Sequence, residues 1–217
     1  MNPDAYYGRP EVSNSDLTEL KNLLHPKLQF GDRQKAFRFG TLVDAVITEP
    51  ERVNWYRRTV DGEPYTDDEM QAARAMRDSL SREALRDPFL GTVLRTASCQ
   101  QVSVRKGQEF GYGGFRFRLD TRCKWDWFFP SFGFGGDLKT TFAETQTQFE
   151  EAVDFFDWDR SRAWYMDIVG SGRDFIYAVS KKNFRVFRKF IRRGDGVYER
   201  GREKYEELAF GYWCLNI

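Results

Sequence analysis

The residues best placed to do chemistry are Asp137 and Lys139, in the run Gly135-Gly136-Asp137-Leu138-Lys139-Thr140-Thr141. Read as a strand, this run turns Asp137 and Lys139 to one face and Leu138 to the other, because strand side chains alternate. A carboxylate beside an ammonium on a rigid strand suits metal-assisted phosphodiester cleavage. It needs a second carboxylate from a neighbouring strand, and Asp120 in Phe117-Arg118-Leu119-Asp120 is the candidate. The carboxylates would hold Mg²⁺, the metal would acidify its water, and the lysine would position that water. The competing reading is a surface Asp and Lys at the start of a strand.

Other chemistries are disfavoured by composition. Cysteines Cys99, Cys123 and Cys214 form no C-x-x-C pair, and His25 is the only histidine. That argues against a zinc site, a disulfide framework and the common histidine-based hydrolase triads. The 217 residues are 41% hydrophobic and 31% charged, as expected of one globular domain. No apolar run is long enough to span a membrane, and the N-terminal Met1-Asn2-Pro3-Asp4-Ala5-Tyr6-Tyr7 lacks a leader profile, so a cytoplasmic protein is expected. Net charge is +1. Lys181, Lys182, Arg185, Arg188, Lys189, Arg192 and Arg193 are interleaved with Phe184, Phe187, Phe190 and Ile191. Such a strip could follow a phosphate backbone or be an ordinary solvated strand face.

The elements that must position these residues follow from periodicity. A helix is expected over Ser15–Leu24, where Pro26 stops it, and another over Phe37–Ile47, ended by Glu49-Pro50. Asp44 lies at the flank of the second helix's buried face, where it needs a partner or a metal. Thr66-Asp67-Asp68-Glu69 is a capping box for a third helix, expected to break near Ser79–Ser81, with a short turn ending before Pro88. Strands are expected over Gln101–Arg105 and Phe110–Asp120, then a long aromatic connection from Cys123 to Gly136, whose exposed rings could stack on bases. Helical stripes follow at Phe149–Phe156 and from Asp157 or Asp159 to Ile168. Strands at Phe175–Val179 and Arg185–Ile191 and a helix over Val197–Phe210 complete an α/β domain with a mixed sheet.

Taken in order, several of these pieces resemble the PD-(D/E)xK nuclease superfamily, and within it the RecE-type (exonuclease VIII-like) phage and prophage exonucleases. Lambda exonuclease is more distantly similar. The pieces are Ser13-Asn14-Ser15-Asp16-Leu17, Phe39-Gly40-Thr41-Leu42-Val43-Asp44-Ala45, Arg118-Leu119-Asp120 and Asp137-Leu138-Lys139-Thr140-Thr141. Arg160-Ser161-Arg162-Ala163-Trp164-Tyr165 and Gly201-Arg202-Glu203-Lys204-Tyr205 complete the series. The resemblance implies a restriction-endonuclease-like core with a central mixed β-sheet flanked by α-helices. It would form a single domain over 1–217, helical over about 1–96 and catalytic over about 97–217. It implies metal binding by Asp44, Asp120, Asp137 and the Leu138 carbonyl, with Lys139 and Tyr165 completing the catalytic set. Arg160, Ser161, Arg162, Lys181, Lys182 and Arg185 would meet DNA.

The activity implied is Mg²⁺-dependent degradation of double-stranded DNA from free ends, with Mn²⁺ as a substitute metal. A homo-oligomer, a single-strand annealing partner and a phage or prophage origin go with it. Three positions depart from the pattern: Asp44 replaces a histidine, Ser161 a glutamine, and Gln101 an acidic residue. These departures leave open a nuclease-fold protein that binds DNA or a partner with weak or lost catalysis. A structure-specific endonuclease is the other alternative.

Overall fold

The computed structural model describes residues 6, 8–26 and 32–216; of the N-terminal stretch read for a leader, only Tyr6 lies among them. Its centre is a five-stranded mixed sheet in the order β4-β5-β6-β7-β8. These strands are Ser98–Tyr112, Phe115–Phe129, Phe134–Thr141, Arg173–Ser180 and Val186–Arg192. All neighbours are antiparallel except β6 and β7, which run parallel. The return from β6 to β7 is made by α5 (Gln146–Phe155) and α6 (Trp158–Val169), as a parallel pair requires.

Each face of the sheet carries its own core. On one face, α5, α6, α1 (Asn14–Leu24) and α7 (Gly196–Leu215) bury Leu17, Phe149, Trp164 and Tyr205 against Phe117, Trp125 and Ile176. On the other, α2 (Arg33–Thr48), α3 (Asp67–Ala84) and α4 (Pro88–Thr96) bury Leu42, Met76 and Leu90 against Trp127, Leu138 and Tyr177. A small antiparallel sheet of β1 (Val53–Asn54), β2 (Thr59–Val60) and β3 (Glu63–Pro64) lies between α2 and α3 in sequence. Three helix starts on the two faces have a clear chemical cause. Ser13 and Asp16 close a capping box on α1, Thr66 and Glu69 close another on α3, and Asp32 caps α2.

Three expectations change. The third helix runs unbroken to Ala84, with Ser79 buried in its interior and bonded by Arg82. The segment after Pro88 is a helix in its own right, because Asp87 accepts from the Phe89 and Leu90 amides and proline suits a first turn. The stretch from Cys123 is no connection. Strand β5 continues to Phe129, and the hairpin turn is confined to residues 130–133. Trp125, Trp127, Phe129 and Phe134 are buried; Phe132, at 71% exposure, is the large ring of this stretch left open.

Candidate active site

The site forms where β5 and β6 part. Their ladder comprises Phe129–Phe134, Phe128–Gly135 and Trp127–Gly136, and then stops. Beyond it the Leu138 amide donates to Asp126 Oδ2 at 2.7 Å, so a side chain replaces the missing backbone partner. Close approach up to that point depends on Gly135 and Gly136. A Cβ on Gly135 would lie 2.4 Å from the Trp127 carbonyl oxygen, and one on Gly136 2.2 Å from the Phe175 ring.

Asp137 is 5% exposed and faces α6, while Leu138 enters the opposite core, as the alternation required. The Lys139 ammonium stands 2.5 Å from Asp137 Oδ2, and Arg162 Nη2 stands 3.2 Å from Oδ1. Burial alone would raise the Asp137 pKa, but Arg162 and Lys139 outweigh it and hold the carboxyl below its usual range. Asp126 goes the other way. Burial, then the charges of Asp137 and Asp44, push its pKa well above the usual value. The two carboxyls are thus driven apart in acidity: the charge of Asp137 raises Asp126, while Asp137 stays the stronger acid of the pair.

Asp44 reaches the same cluster from α2, half-buried, its pKa raised chiefly by burial and lowered in part by Thr48 and Lys139. Gln100 fixes its orientation. The Gln100 backbone is left-handed (φ 55°) and drops out of the ladder between the pairs Cys99–Trp127 and Gln101–Trp125. Its amide nitrogen then donates to both Asp44 oxygens, at 3.1 and 3.3 Å, and to Thr48 at 3.0 Å. Gln101, the position compared with an acidic residue, is exposed and donates to the Val102 carbonyl.

Asp120 is not part of this cluster. It accepts from the Gly107 amide at 2.8 Å and pairs with Lys106 at 3.1 Å, its side chain 48% exposed. Along β5 it is about 20 Å from Asp126, at roughly 3.3 Å per residue. The β5 carboxyl that meets Asp137 is Asp126, further along the strand than Asp120. The alternation of buried Cys123, Trp125 and Trp127 around Lys124 and Asp126 was the signal that could have located it.

The helix motif is also redistributed. Arg160 is buried and donates to Asn14 Oδ1 and Thr18 Oγ1, so it ties α6 to α1. Ser161 donates to the Trp158 carbonyl inside its own helix. Arg162 is 1% exposed, pinned between Asp137 and Asp174, the latter at 3.7 Å. Tyr165 supports it from below, with the guanidinium 4.1 Å from the ring centre. Tyr165 thus packs against Arg162, and burial raises its phenol pKa far above normal. Asp174, buried beside Arg162 and with its pKa raised by burial, escaped the sequence reading.

Of the basic strip, Lys182 pairs with Glu144, Arg188 with Asp87, Lys189 with Glu150 and Arg193 with Asp167. Arg185 reaches the Glu144 carbonyl. Lys181 differs: its ammonium lies 5.0 Å from the Phe39 ring centre and 5.1 Å from that of Phe142.

No protein-family model matches the chain, and no curated protein matches it. Similar solved structures include a phage-related exonuclease from Haemophilus somnus 129PT, with 11% identity over 98% of this chain and 88% of that chain and a TM-score of 0.41. An alkaline exonuclease from Laribacter hongkongensis has 12% identity over 95% and 91%, with a TM-score of 0.32. SSO0001 has 12% identity over 89% and 83%, with a TM-score of 0.37. At this depth of similarity, a functional reading rests on the geometry of the site itself.

That geometry suits a hard cation in its chemistry. Oxygen donors dominate, and the Asp126 carboxyl, raised by burial and by Asp137 and Asp44, would be eased by a cation beside it. Among the described residues, no three Asp, Glu, His or Cys side chains already converge as a cation cage.

Proposed function

We propose that the chain is a Mg²⁺-dependent deoxyribonuclease that degrades double-stranded DNA from its ends, of the RecE type within the PD-(D/E)xK superfamily. The observation that carries this reading is the meeting of Asp126 and Asp137 where β5 and β6 part, with Lys139 beside Asp137. Asp126 and Asp137 would hold the metal, with Asp44 and the Leu138 carbonyl as further oxygen donors. When bound, it would acidify a water and offset charge on the phosphate. The chain's own groups do the rest. Lys139 orients the attacking water and stabilises the charge developing on the phosphate oxygens. Arg162 keeps Asp137 ionised and fixed. Gln100 and Thr48 fix the orientation of the Asp44 carboxylate.

One observation favours a second reading. Asp137 has a cation at each oxygen, Arg162 at one and Lys139 at the other, an arrangement that also suits DNA binding without cleavage. Incubation of linear and covalently closed duplexes with Mg²⁺, Mn²⁺ or EDTA separates the cases. The nuclease reading expects loss of linear DNA only, and only with metal. Asp126→Asn and Lys139→Ala should each lower the rate at least about a hundredfold. Asp120→Asn, a change at an exposed site, should stay within about twofold. Cutting of closed circles would make it an endonuclease, and a gel shift without cleavage in either metal would establish the binding protein.

A further inference from the structure

Lys181 stands apart from the basic residues around it. Lys182, Arg188, Lys189 and Arg193 all have carboxylate partners. Among the described residues, no carboxylate pairs with Lys181. It is half-buried, and burial pulls its pKa down, the mark of an ammonium short of counter-charge. Its amide is held by the Thr141 carbonyl at 2.7 Å, which fixes its backbone to the end of β6. The two rings that bracket its ammonium come from the elements that build the active site. Phe39 lies on α2, about 7 Å in helical rise from Asp44. Phe142 follows β6 directly, about 10 Å along the chain from Lys139. Phe142 is 64% exposed.

An unpaired ammonium and an open aromatic face, side by side just beyond the end of β6, match the two halves of a nucleotide. The ammonium takes a phosphate and the ring takes a base, whichever base it is. We propose that Lys181 and Phe142 form a subsite for the nucleotide next to the scissile phosphate. Lys181 binds its phosphate, and its unpaired base stacks on the free face of Phe142. Phe39 closes the inner side of the bracket. This rests on the nuclease reading and adds to it a selectivity for frayed or single-stranded ends, since a base inside the duplex cannot reach the ring.

The test uses the full-length protein in EDTA, where binding is separated from cleavage, and a duplex whose end carries 2-aminopurine. Fluorescence anisotropy reports binding and 2-aminopurine quenching reports stacking. The wild type should bind and quench. Phe142→Ala should lose most of the quenching and weaken binding about tenfold, with an unchanged melting temperature; Phe142→Trp should keep the quenching. Lys181→Gln should lower the slope of log Kd against log salt by about 1. Quenching unchanged in Phe142→Ala, or a salt slope unchanged in Lys181→Gln, overturns the subsite and leaves the nuclease reading standing. A wild type that binds no DNA overturns both.

Discussion

Asp126 is the residue on which function and stability pull in opposite directions. Its folded pKa lies well above the ordinary value, owing to burial and then the charges of Asp137 and Asp44. As pH rises past about 4, the unfolded chain releases this proton first. Stability from Asp126 is therefore complete below that pH and drains away as pH climbs towards the raised folded value. Asp137, whose folded pKa is lowered, has the opposite sign. Its contribution is present above about pH 4 and is lost as pH falls through its lowered value. At pH 7 without divalent cations, Asp126→Asn should therefore melt at least about 2 °C above the wild type. Mg²⁺ should raise the melting temperature of the wild type and leave that of Asp126→Asn unmoved, since only a ligand of the folded state stabilises. Identical melting of the two proteins in both conditions would remove Asp126 from the metal site.

At the scale of elements, the site exists because two strands approach closely and then separate. Gly135 and Gly136 permit the approach; a methyl at either meets the Trp127 backbone or the Phe175 ring. Gly136→Ala should cost about 1–3 kcal/mol by overpacking, read as a lower denaturant midpoint with an unchanged m-value. A midpoint equal to wild type would show that the ladder tolerates a wider spacing. The same glycines explain what was legible beforehand and what was not. The alternation at Asp137, Leu138 and Lys139 was readable from period two alone, and the apolar stripe of α2 and the Thr66–Glu69 capping box were readable too. Asp126 was not, because Pro130, Gly133, Gly135 and Gly136 among crowded aromatics look like a loop. The strand continues there because the sheet has a core on both sides to receive Trp125 and Trp127. Gln100 was not singled out, because a left-handed residue inside a strand is dictated by tertiary contacts. Arg162 was placed on the DNA surface because its buried partner Asp174 comes from β7, a contact no local pattern reveals.

For the whole molecule, the sheet divides two separate cores, and β5 changes allegiance between them at the site. Trp125 packs with α6, Trp127 with the layer of α2 to α4, and Asp126 lies between the two. Net charge is only +1, and much of the basic strand is matched by acids. On the proposed function, attraction to DNA would therefore come from local groups beside the site and not from a global field. The parting of β5 and β6 also supplies a probe of the molecule's motions. The Leu138 amide is closed by the Asp126 carboxyl, whereas interior sheet amides are closed by a neighbouring backbone. Its exchange with deuterium should follow local opening and run faster than that of the ladder amides further along the same strands, which exchange on wider unfolding. Added Mg²⁺, by fixing Asp126, should slow this one amide more than those deeper in the sheet. Equal slowing throughout would mean that the cation stabilises the fold as a whole and does not act at the parting of the strands.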